Sequence, residues 1–179
     1  MYEFVQKIKH SRFWRLTIRL QQTLLILMSV FVVLIMCVEV LLRYVFKSDL
    51  FGIEEIVVIA AFWLYFMGSS YGVYDKSHVK ADIIPQLLSV RNAKKLSVVI
   101  NFTIAILCIV YGYWATDMVF YSIEWMPKTT GLRIPIFISQ TSILLGYILM
   151  SFYSLVYSLE ELAEFFLSEN KKSLPTPKQ

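Results

Sequence analysis

The sequence predicts an all-α integral membrane protein with four transmembrane helices plus a short cytoplasmic interfacial amphipathic helix. Three observations carry this expectation. Four uncharged runs dominate the chain: Leu20–Val38 with 19 residues, Ile56–Tyr74 with 19, Leu96–Thr116 with 21 and Ile134–Leu159 with 26. About 20 helical residues cross a bilayer core of about 30 Å. Charged residues make up only 17% of the 179 and hydrophobic ones 58%, whereas a soluble domain carries about 25% charge. The basic residues are also segregated. Thirteen of them (Lys7, Lys9, Arg12, Arg15, Arg19, Lys76, Lys80, Arg91, Lys94, Lys95, Lys171, Lys172 and Lys178) fall on one side of the four runs, against Arg43, Lys47, Lys128 and Arg133 on the other. The positive-inside rule then puts both termini and the middle loop in the cytoplasm. Topology and anionic membrane lipid account for these clusters, so no nucleic-acid partner is inferred.

Residues 1–19 place Phe4, Val5, Ile8, Phe13, Leu16 and Ile18 among basic residues. That composition suits a cytoplasmic amphipathic segment lying on the inner leaflet. A membrane domain over 20–166 follows, with spans at about 20–46, 53–74, 96–121 and 134–159. The first span has full crossing length and no small-residue cleavage site after it, so it reads as an uncleaved anchor. A short turn containing Asp49 and Gly52 leads into span two.

Between spans two and three, Val79, Ile83, Leu87 and Val90 recur at helical spacing. This stripe, with Pro85 suited to a first turn, predicts the interfacial helix. Span three can extend past Asp117 to Glu124–Trp125, and Pro127 and Gly131 break the next turn. Pro135 suits the first turn of span four. That span, about 39 Å long if fully helical, must tilt or project beyond the bilayer core. Residues 167–179, with Pro175 and Pro177, read as a disordered cytoplasmic tail.

Few residues could carry chemistry. Glu39 and Arg43, at i and i+4, share a helix face near the outer end of span one. An unpaired charge in a span costs about 2.5–3.5 kcal/mol on insertion scales. The pair therefore reads first as a packing device and second as a proton-coupling carboxylate. Glu54 and Glu55 suit the N-terminus of span two, and a cluster of Arg43 with one of them is expected. A cation entry site is the weaker alternative.

His78 and Asp82 are also four apart, yet two such residues are too few for a metal site. No paired span histidines suggest haem. Neither a phosphate-binding loop nor a hydrolase or metalloprotease motif occurs. Cys37 and Cys108 read as small apolar core residues. Gly68, Ser69, Ser70 and Gly72 allow close helix approach on span two, either within the chain or to another subunit. Nothing here predicts catalysis, a metal or a cofactor.

The order Arg43-Tyr44-Val45-Phe46, Glu54-Glu55, Trp63 with Phe66-Met67-Gly68, and His78-Val79-Lys80-Ala81-Asp82 resembles the small membrane subunit (DctQ type) of tripartite ATP-independent periplasmic (TRAP) transporters. Softer marks follow at Tyr111-Gly112, Ile134-Pro135 and Gly146. The similarity runs from about Thr23 to Tyr153 and looks most like sialic-acid systems. Ser69-Ser70 departs from the alanines usual after the glycine, and the proline often found before the span-four glycine is absent.

The resemblance implies a non-enzymatic scaffold subunit in the bacterial inner membrane. It implies pairing with a large permease subunit, one to one, and with a periplasmic substrate-binding protein. Import of an organic acid would be driven by sodium, with no substrate site on this chain. Glu39, Arg43, Glu54, Glu55, Trp63, Gly68, Gly72, His78 and Asp82 are then structural or interface candidates. The main competing reading is a stand-alone proton-coupled exporter using Glu39.

Overall fold

The computed structural model describes residues 2–48, 51–75 and 90–173. Among the described residues there are five helices: α1 (Tyr2–Lys9), α2 (Arg12–Tyr44), α3 (Ile53–Asp75), α4 (Val90–Trp125) and α5 (Phe137–Ser173). The last four are long and apolar enough to cross a membrane, as their sequence predicts. At about 1.5 Å per residue, α4 and α5 reach roughly 55 Å, well beyond a bilayer core.

Local chemistry sets most boundaries. The Ser11 side chain caps α2, accepting from the Phe13 N–H at 3.3 Å. The first span's helix therefore begins at Arg12, and the 1–19 segment divides into α1 and the start of α2. Trp14, Ile18 and Gln21, spaced at helical steps, are buried on the face this early start creates.

Gly52 precedes α3 at φ +82°. That backbone conformation favours glycine, and an added Cβ would also press on the Leu132 side chain. Between α4 and α5, Lys128 and Pro135 form an antiparallel bridge. Pro135 thus stands two residues before α5, not in its first turn, because its backbone is held in that small hairpin. Its carbonyl still accepts from Ile138 N–H at 3.3 Å.

Val90, read as the last apolar position of the interfacial helix, opens α4. That helix otherwise lies outside the described residues, together with His78 and Asp82. At the other end α5 continues to Ser173, into the segment expected to be tail. No glycine or proline occurs between Leu159 and Pro175 to stop it.

The helices form an open layer in the order α2–α3–α5–α4, with α1 laid across α5 and the start of α2. Among the described residues α2 has no backbone-level contact with α4 or α5. Burial follows position in the layer. In their most apolar 18-residue windows, 44% of α5 is buried, against 17% of α3, 11% of α4 and none of α2.

About half of the buried residues are small. They include Ala60, Ala105, Ala115, Ser70, Ser122, Ser142 and Ser154. Lipid tails are as apolar as leucine, so close van der Waals packing of small residues holds membrane helices together. Gly146 makes the closest approach: a Cβ there would lie 2.9 Å from Phe66 Cβ and 3.0 Å from Phe66 O. Gly68 meets only Leu25 Cδ2, at 3.8 Å from an added Cβ.

Candidate functional site

Two clusters of polar and aromatic groups lie at the two ends of the layer. At the α2 start, Trp14 packs against Tyr153, Phe152, Tyr74 and Tyr157, with ring centroids 5.1, 5.6, 6.1 and 6.5 Å away. One indole thereby joins α2 to α3 and α5. Edge-on contacts at these distances add about 0.5–1.5 kcal/mol each beyond burial.

Two turns further in, Gln21 uses both ends of its amide. Its Nε2 donates to Ser70 Oγ and, at 3.3 Å, to Met67 O. Its Oε1 accepts from Tyr153 OH at 3.0 Å. Three helices thus share one satisfied buried node. Tyr157 OH donates to Tyr74 O at 2.6 Å, closing the end of α3 onto α5.

The same end holds α1 in place. Val5 is fully buried in the Trp14–Tyr153–Tyr157 cluster. Lys9 Nζ donates to both oxygens of Glu160 at 2.5 and 2.6 Å and lies 4.8 Å from the Tyr157 ring centroid. α1 is therefore packed on protein, and not only on the leaflet, as its amphipathic pattern alone suggests.

At the opposite end Glu55 fastens the turn between α4 and α5. Its carboxylate accepts from Thr129 Oγ1 at 2.6 Å, Thr130 Oγ1 at 3.4 Å, Gly131 N–H at 2.6 Å and Leu132 N–H at 2.8 Å. Arg43 pairs with Glu39 at 3.2 Å on α2; of Glu54 and Glu55, one of which is expected to join Arg43, Glu55 is engaged by the turn. Glu54 is exposed. Glu39, Glu54 and Glu55 line one open cleft of about 400 Å³ with Thr130 and Gly131. Beside it runs an apolar groove of about 490 Å³ between α2 and α3, lined by Phe31, Leu34, Val38 and Ile56 among others.

Trp63 Nε1 donates to Ile138 O at 3.1 Å, tying the middle of α3 to the first turn of α5. Gly68 and Gly72 are partly buried on α3. Cys108 is buried, but Cys37 lies exposed on α2, because α2 meets its neighbours on one side only. Among the described residues no three His, Cys, Asp or Glu side chains gather closely enough to hold a metal ion.

The geometry brings Glu39 to Arg43 and Trp63 to α5. Beside Ser70, in the small-residue group of span two, and Gly146, among the family marks, five residues do comparable work without a sequence motif to mark them: Lys9, Gln21, Tyr153, Glu160 and Thr129. Gln21 alone had a signal: an amide in register with Trp14 and Ile18 on one helix face.

We expect Glu55→Gln to loosen the turn: its one oxygen can still accept from one of the Gly131 and Leu132 N–H groups, as a weaker neutral acceptor, but its nitrogen cannot accept from the other. Hydrogen exchange at those two amides should quicken about tenfold, while Glu54→Gln leaves it unchanged. Equal effects of the two changes would contradict the fastening role.

Together these features define a multi-pass membrane protein whose described polar groups join helices and turns to one another. The chain matches the DctQ component of tripartite ATP-independent periplasmic transporters over residues 32–164. It belongs to that family, and is the small subunit of a TRAP transporter. The family works with a large permease subunit and a periplasmic binding protein. A search of curated proteins returned no match.

Proposed function

We propose that this chain is the fixed, non-catalytic subunit of a sodium-driven importer of organic acids, of the sialic-acid or dicarboxylate type. It pairs one to one with the large permease subunit, which carries the substrate and sodium sites. The periplasmic binding protein delivers substrate near the end bearing Glu55 and residues 126–133. The chain sits in the bacterial inner membrane with both termini in the cytoplasm and holds no substrate site itself.

The observation that carries this reading is the open layer. The apolar window of α2 has no buried residue, and among the described residues its backbone approaches only α1 and α3, with Trp14 and Gln21 reaching α5 by side chains at its start. A layer of helices in the contact order α2–α3–α5–α4 leaves broad faces that suit a protein partner. Substrate-binding transporters place interrupted helices around a midplane site, whereas α2 to α5 are each unbroken.

The test is affinity capture of this chain from native membranes in mild detergent, with stoichiometry by mass spectrometry. One large membrane protein at equal amount is the expected result. Recovery of this chain alone would overturn the reading.

Arg43→Ala is expected to lower recovery of that complex several-fold, because it leaves Glu39, whose side chain is 11% exposed, without its ion-pair partner at the outer end of α2. Substrate affinity of the complex that remains should be unchanged. Intact assembly with altered substrate affinity would contradict this.

A further inference from the structure

Arg12, Arg15 and Arg19 stand on one face of the first two turns of α2. At 100° per residue they span an arc of about 60°, centred about 125° around the helix from the arc of Trp14, Ile18 and Gln21. The second set is buried in the layer, so the helix cannot turn and the arginine face points away from the bundle. All three arginines are exposed. With Leu16 they line one open cleft of about 320 Å³. The ion pairs among the described residues are Lys9–Glu160 and Arg43–Glu39, and neither engages this cleft.

We propose that this cleft binds the phosphate of an anionic membrane lipid. Guanidinium groups stay charged at any physiological pH and present planar forks that match phosphate oxygens. Phe13, Leu16 and Leu20 are exposed beside them, and the uncharged run Leu20–Val38 follows directly. A ligand seated here therefore meets positive charge at one end and uncovered apolar helix along the rest of its length. That combination fits a phospholipid, with acyl chains along α2 and the headgroup at the arginines. Among the described residues no carboxylate lines the cleft to take up the cation of a choline or ethanolamine head. A net-negative phosphodiester such as phosphatidylglycerol or cardiolipin is the better match. The orientation signal needs only positive charge on this side; alignment of three forks on one face is a further feature. The proposal does not depend on the transporter reading.

The test is native mass spectrometry of the full chain in mild detergent with equal phosphatidylcholine and phosphatidylglycerol, repeated with cardiolipin. The wild-type chain should retain the anionic lipid selectively. Each basic residue near an anionic surface contributes about fivefold, so R12Q/R15Q/R19Q should lose retention by about a hundredfold. R12K/R15K/R19K keeps the charge and the topology signal but not the forks, and should fall between. No preference for the anionic lipid in the wild type would overturn the site. Wild-type retention by the glutamine variant would do so as well. If that variant fails to insert, the lysine variant decides, and undiminished retention there would reduce the site to diffuse charge. Displacement of the lipid by inorganic phosphate, which then occupies the chain, would reassign the ligand to a soluble anion.

Discussion

Trp14→Ala should destabilise the purified chain more than any other single truncation at the α2 start. Trp14 is 5% exposed and touches aromatic rings from both α3 and α5. Deleting a buried tryptophan side chain costs about 3–5 kcal/mol. For a chain of this length that corresponds to a fall in midpoint of roughly 10 °C in thermal unfolding. Phe13→Ala is the matched control: its neighbouring ring is 66% exposed, and the midpoint should move by less than about 2 °C. Similar losses from both changes would mean that apolar content, and not the packing of this one indole, holds the end of the layer together.

The same substitution reports on α1. Val5 is buried against Trp14 and its partners, while Lys9 reaches Glu160 on α5. With the indole gone, the ion pair is left as the main tie. A partly exposed pair contributes about 0–1 kcal/mol. Protease access to α1 should therefore rise in Trp14→Ala well before the spans unfold.

The four spans are legible in the sequence because membrane crossing depends on a local property, the apolar content of about 20 consecutive residues. Their neighbours in the layer are not. The order α2–α3–α5–α4 depends on contacts such as Trp63 with Ile138 and Asn101 with Glu161, between residues 75 and 60 positions apart. The Gln21 node joins residues 46 to 132 positions apart, and no local period marks Tyr153 as its partner. Glu55 shows the same limit. Its place at a helix N-terminus is evident from sequence, and the resulting choice of Arg43 as partner follows from nearness along the chain. The turn at 129–132 supplies two backbone N–H groups and two hydroxyls to the same carboxylate, a match that appears only once α3 and α5 lie side by side.

The family assignment was legible for a different reason. Its motifs lie mainly between Glu39 and Asp82, and the matched region, residues 32–164, covers the membrane domain. The early start of α2 is a case where two local signals compete. Hydropathy begins the span at Leu20, but the Ser11 cap and the buried stripe at Trp14, Ile18 and Gln21 extend the helix two turns earlier. Hydropathy reports where lipid begins, not where the helix does.

Gly146→Leu should be the most disruptive change within the spans, and its comparison with Gly68 separates two kinds of small residue. The step from Gly68 to Gly72 has the spacing of a helix-association motif, yet an alanine methyl at Gly68 would sit 3.8 Å from Leu25 Cδ2, in ordinary contact. Gly68→Ala should therefore be neutral or stabilising by up to about 1 kcal/mol, because alanine favours the helix. At Gly146 the methyl would meet the Cβ and carbonyl oxygen of Phe66 at 2.9 and 3.0 Å. Neither atom can swing aside as the end of a flexible side chain can, so α3 and α5 must move apart. Overpacking of this kind costs about 1–3 kcal/mol, and leucine should reach or exceed the top of that range. Separation of α3 from α5 also strains the Trp63–Ile138 and Tyr157–Tyr74 hydrogen bonds, which bridge the same two helices on either side of Gly146. Thermal unfolding of the two alanine variants in one detergent decides the matter. A loss at Gly146 with none at Gly68 supports the layer order. The reverse result would place the closest helix approach on the other face of α3, against α2, and the order of the layer would have to be redrawn.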